Sequence, residues 1–152
     1  MTIVIDSPAG LPEAVGQSAT GEWFEITQDR VDRFADATND HQWIHTDPVR
    51  AASGPFGAPV AHGFLTLSLL PALTDGLLAV GGTGMLVNYG LDRVRFVSPV
   101  RSGSRVRATT TVVSVEPSSL GSRVTSDVLV EVEGADKPAV IARTITLIAP
   151  AG

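Results

Sequence analysis

Three long runs in the second half of the chain decide most of what it can fold into. Residues 105–116, 123–133 and 139–148 alternate apolar with polar side chains, most plainly in VRATTTVVSVE and VTSDVLVEVEG. A period of two sends successive side chains to opposite faces, so each run is a strand with one face for a core. Ser102-Gly103, Pro117-Ser118 and Gly134-Ala135-Asp136 supply turn signals between them. Two shorter strands, Met85–Tyr89 and Arg93–Phe96, precede them. Sequential strands joined by hairpins form an antiparallel sheet.

Such a sheet must cover its apolar face, and the chain offers a helix from about Gly63 to Val80. That stretch is hydrophobic nearly all round, as expected of a helix enclosed by other structure. Pro71 lies inside it and breaks the hydrogen-bond ladder, which predicts a kink or two abutting helices. Thr66, Ser68, Pro71, Thr74, Asp75 and Gly76 make it too polar for a membrane span. Upstream, Thr27 caps a helix from Gln28 whose Val31, Phe34 and Ala35 share a face. Asp47-Pro48 starts a short helix over residues 48–52, and GPFGAPVAHG (54–63) is a loop. The architecture is α+β, an antiparallel sheet curved around a central apolar helix. With 152 residues, no repeat and no linker, residues 1–152 read as a single domain.

A net charge of −5 argues against nucleic acid as a general partner. The chain has no cysteine, which removes disulfides, thiol nucleophiles and thiolate metal sites and fits a reducing, cytoplasmic setting. MTIVIDSPAGLPEAVG has no cationic region ahead of its short apolar run and is a poor signal peptide.

The titratable chemistry is concentrated in TNDHQWIHTD (38–47), which holds two of the three histidines. Asp40 and His45 beside Trp43 and Ile44 are either a solvated loop with an aromatic anchor or an acid/base pair with an apolar wall. A carboxylate and an imidazole sharing one water act as paired base and acid, and apolar burial raises a carboxylate's pKa. His41 and His45 are four residues apart, but Thr38-Asn39-Asp40 reads as a turn, so no metal site is expected. Gly63 follows His62 at a helix start, where free N–H groups stabilise negative charge on a ligand oxygen; it is equally a glycine that permits a turn. Ser68 has no Gly-x-Ser-x-Gly context, and GTGML (82–86) lacks the Lys-Ser/Thr ending of a phosphate loop. Arg93/Arg95 and Arg105/Arg107 each place two guanidiniums on one strand face, for phosphate or simply for solvent.

Asp40-His41-Gln42-Trp43-Ile44-His45-Thr46-Asp47-Pro48, followed by Ala51, resembles the hydratase signature of MaoC-like hot-dog proteins. Asp40, His45 and Ala51 fall on its aspartate, histidine and small residue. Ala58–Gly63 resembles the loop into the family's helix, and VRFVSPVRSGSRVRA (94–108) its recurrent strand pair. The likeness covers about residues 20–148 and is nearest to nodulation-protein-N-like and mycobacterial 3-hydroxyacyl-thioester dehydratases. Asn39, Gln42 and Trp43 depart from the family's Gly, Asn and Pro, which bears on acyl length.

The resemblance implies a hot-dog fold and (R)-specific hydration of trans-2-enoyl thioesters, carried by coenzyme A or acyl carrier protein, with the reverse dehydration. It implies Asp40 and His45 as the catalytic pair, the Gly63 amide as oxyanion donor, and no cofactor. Gln42, Trp43, His62 and Ser68 are the expected substrate-binding residues, with Asn88, Arg93 and Arg95 for the coenzyme A tail. A homodimer formed edge to edge is implied as well. A hot-dog thioesterase and a non-catalytic acyl-thioester-binding subunit are the competing readings. Thiol release from saturated acyl-CoA marks the first, and tight binding without turnover marks the second.

Overall fold

The computed structural model describes residues 1–152. The alternating runs become β6 (Arg105–Ser118), β7 (Gly121–Val132) and β8 (Val140–Pro150), antiparallel neighbours in that order. Short β2 (Ser18–Thr20) and β3 (Phe24–Glu25) both pair with β6 at one edge. The other edge is β5 (Thr83–Phe96), antiparallel to β8.

Three details differ from the sequence reading. The two strands expected within residues 85–96 are one strand, whose alternation is interrupted by register shifts between Asn88 and Gly90 and between Leu91 and Arg93. A bulge puts two residues opposite one, which breaks the period of two and reads in sequence as a gap. β5 also does not form a hairpin with β6; it lies beyond β8, so residues 97–104 carry the chain back across the sheet. Finally, the β6–β7 ladder runs through Pro117 and Ser118 to a turn at residues 119–120, instead of turning at Pro117-Ser118.

The apolar helix is two abutting helices, α4 (Gly63–Ser68) and α5 (Leu70–Leu73); for reference, α1 is Gln28–Thr38, α2 Trp43–Thr46 and α3 Pro48–Ala52. Pro71 sits in the first turn of α5, where its missing N–H costs nothing. The helix does not reach Val80. It ends at Leu73, Gly76 takes a left-handed turn at φ 69°, and Leu78–Val80 is β4, parallel to β1 (Ile3–Ile5). Leu-Leu-Ala-Val suits helix or strand, and the partner that decides, β1, is 75 residues away in the chain.

Leu65, Leu69, Leu70 and Leu73 pack on Val106, Ala108, Val128, Val130, Val140 and Ala142 of the sheet's inner face. Each fully buried Val or Leu contributes about 1.5–3 kcal/mol of transfer free energy. Only one side of the helix is covered, and Phe64 stays 67% exposed. A second cluster, with Ile3, Ile5, Leu11, Leu77, Val112, Val124 and Ile148, closes the other end of the same sheet. No helix is long and apolar enough to cross a membrane.

Candidate active site

The Thr27 hydroxyl accepts the Arg30 N–H at 3.2 Å and starts α1, which buries Val31 and Ala35. Asn39 ends it in the left-handed region at φ 59°, a conformation that asparagine tolerates better than most residues. The chain then reverses into Asp40–Gln42 and enters α2. The Asp47 carboxylate caps α3 by accepting the Arg50 N–H at 3.0 Å. These two stops hold α2 in a fixed place, and α2 carries His45 into the protein, 6% exposed.

Two hydrogen bonds orient His45. Its Nδ1 donates to the Val60 carbonyl at 2.6 Å, and Gln28 Nε2 donates to the His45 carbonyl at 2.7 Å. A carbonyl only accepts, so the proton lies on Nδ1 and the Nε2 lone pair is free. Burial, the largest influence, lowers the imidazole's pKa; the Val60 hydrogen bond raises it, His62 lowers it, and Asp40 raises it. The net direction is down, so His45 is a neutral base near pH 7.

Polar side-chain atoms of Asp40, His45 and His62 all lie within 4.8 Å of one another. Two such atoms can hold one water, each at a hydrogen-bond distance of about 2.8 Å. Asp40 is exposed and His45 is buried, so the pair spans the boundary between solvent and interior. His62 is 2% exposed, and its ring stacks on His45 with centroids 3.8 Å apart and planes 23° from parallel. Ring lone pairs lie in the ring planes. Planes this close to parallel do not converge at the roughly 2.0–2.1 Å of a metal–imidazole bond, so the two rings do not form a chelate.

Gly63 opens α4 just beyond His62, where an N–H has no intrahelical acceptor. A Cβ at Gly63 would lie 3.0 Å from the Phe96 ring. A side chain there would have to push the half-exposed Phe96 ring aside by a few tenths of an ångström. Gly63, Thr66, Phe56, Phe96 and Val97 line a cleft of about 240 Å³ that is mostly apolar. A larger depression of about 440 Å³ around Trp23 and Asp75 contains none of these groups.

The remaining expected site residues are dispersed. His41 faces solvent and pairs with Asp36 at 2.7 Å. Gln42 is exposed. Trp43 packs back on its own loop, where a Cβ at Gly54 would come within 2.9 Å of its ring, and it carries Arg50 at 4.3 Å. Ser68 is exposed and donates to the Phe64 carbonyl at 2.6 Å. Asn88, opposite Thr146, is on the inner face of β5; Arg93 and Arg95, opposite Arg143 and Ile141, are on the outer face. Arg105 and Arg107 pair with Glu133 and Glu131, whereas Arg93 and Arg95 have no carboxylate partner. Sequence reasoning missed Gln28, the Val60 carbonyl and Phe96, because each acts through a contact distant in the chain.

Residues 11–134 match the model of the MaoC like domain. The chain belongs to the MaoC-like family. It is 53% identical over 143 residues to 3-hydroxyacyl-thioester dehydratase Z of Mycobacterium tuberculosis, covering 93% of each chain. It is 47% identical to Nodulation protein N of Rhizobium leguminosarum, over 93% of this chain and 91% of that protein. The (R)-hydratase PhaJ1 of Pseudomonas aeruginosa superposes with a TM-score of 0.75 at 27% identity, over 96% of this chain and 86% of that one. The fold is thereby a hot-dog fold, and the MaoC-like chain is an enzyme of the lyase class, of hydratase–dehydratase type.

Proposed function

We propose that this MaoC-like enzyme hydrates trans-2-enoyl-CoA thioesters to (R)-3-hydroxyacyl-CoA and catalyses the reverse dehydration. The observation that carries the reading is that polar atoms of Asp40 and a neutral His45 lie within 4.8 Å of each other, close enough for one water to bridge them. His45 Nε2 takes a proton from water as the oxygen bonds to C3 of the enoyl group. The π electrons move onto the thioester carbonyl, and the Gly63 N–H stabilises the resulting enolate oxygen. The pair returns one proton to C2. Asp40 holds the water's other hydrogen and balances the transient imidazolium.

The cleft beside Gly63 suits the apolar part of an acyl thioester. Gln42, Trp43 and Ser68 remain substrate-side assignments from the sequence, with Asn88 for the coenzyme A tail. The unpaired cations Arg93 and Arg95 suit its phosphates. β5 is a fourteen-residue edge strand with Met85, Leu86, Tyr89, Leu91 and Phe96 exposed. A long apolar edge is a template for another strand, which supports a homodimer joined through β5. The absence of cysteine supports action in the cytoplasm.

The test is direct. Added to trans-2-enoyl-CoA, the protein should abolish the conjugated enoyl absorbance and yield the (R)-3-hydroxy product on chiral analysis. Thiol release from saturated acyl-CoA, with the enoyl absorbance unchanged, would instead indicate a thioesterase.

A further inference from the structure

Resting on that reading, we infer that His62 is a positioning residue: as its Nε2–H tautomer it ties the Asp40 main chain to the start of α4 and braces the His45 ring. His62 Nε2 lies 2.9 Å from the Asp40 carbonyl oxygen. The carbonyl accepts, so the proton is on Nε2. Nδ1 is buried without a hydrogen-bond partner. The two stacked histidines therefore carry opposite tautomers, Nδ1–H on His45 and Nε2–H on His62.

The ring has little surface to offer a thioester. It is 2% exposed, stacks on His45 at 3.8 Å and meets Phe34 at 4.9 Å. Its contacts all run to the catalytic pair and the core, which separates it from the substrate-binding role that its place beside Gly63 suggests. One short segment thus controls three functional groups. The Val60 carbonyl aims His45, the His62 N–H holds the Asp40 backbone, and Gly63 supplies the amide. Asp40 is exposed on a short loop between helices, so a fixed main chain limits where its carboxylate points. The titratable groups facing His45 are Asp40 and His62, and His62 pushes its pKa down.

His62→Phe keeps a stacking ring and removes the N–H. His62→Gln places an amide N–H at a similar reach. Misplacing a reacting group by about 1 Å costs on the order of 10²-fold in rate. For His62→Phe we expect kcat to fall about 10- to 100-fold with KM unchanged within about twofold, the signature of lost transition-state alignment. Its acid-side limb of the pH–rate profile should move upward, and His62→Gln should recover most of kcat. A raised KM with kcat intact would overturn the inference in favour of substrate contact. Long-range ¹H–¹⁵N NMR on the wild-type protein needs no variant: it should show Nε2–H for His62 and Nδ1–H for His45. A proton on Nδ1 of His62 would overturn the tether even if His62→Phe fails to fold. Absence of hydration by the wild type would reject the proposed function and leave the tautomer measurement standing.

Discussion

At the scale of the residue, burial and charge set His45 at opposite ends of one balance. Burial disfavours its imidazolium more than Asp40 favours it, so its folded pKa lies below the ordinary 6.5. An unfolded chain then binds more protons than the folded one just below that pH. The stabilisation is fully present above about 6.5 and is lost as pH falls through the folded value. Under the proposed mechanism activity follows the same group, because only the neutral ring accepts a proton from water. The acid limb of kcat/KM should therefore lie below 6.5, with thermal stability declining over the same interval. A pH–rate profile with parallel melting curves checks both, and a limb above 6.5 would contradict the buried, neutral assignment.

At the scale of the element, the site depends on where α1 stops. Asn39 reverses the chain in the left-handed region, and the next residue is Asp40. A β-branched residue pays about 1–2 kcal/mol in that conformation. Asn39→Val should lower the melting temperature and reduce turnover, whereas Asn39→Gly should be nearly neutral in both. Equal effects from the two variants would mean that the turn does not position Asp40. Much of this was legible in the sequence. The Thr27 and Asp47 caps announce α1 and α3, and alternation announces β6, β7 and β8, because these signals are local. The early end of the α4–α5 pair and the strand at Leu78–Val80 were not legible. They depend on β1, which supplies hydrogen bonds from the far end of the chain. The joining of Asp40 and His45 was legible as spacing, but the Val60, Gln28 and His62 contacts that orient them arise only on folding.

At the scale of the whole molecule, the half-covered helix and the bare β5 edge point the same way. Phe64 on α4 meets Phe96 on β5 edge to face at 5.9 Å, and both are exposed, forming part of one apolar surface. Light scattering should give twice the chain mass of 15.8 kDa, and a lysine at Leu91 should shift the protein toward monomer. A wild-type monomer would remove the dimer from the account without touching the proposed roles of Asp40 and His45. That pair is the central claim, and one comparison tests it most directly: loss of enoyl absorbance catalysed by the wild type, Asp40→Asn and His45→Gln, with folding verified by melting curves. A positioned acid or base contributes about 10²–10⁴-fold, so each folded variant should lose that much rate. Wild-type turnover in both folded variants would contradict the claim that Asp40 and His45 activate the water.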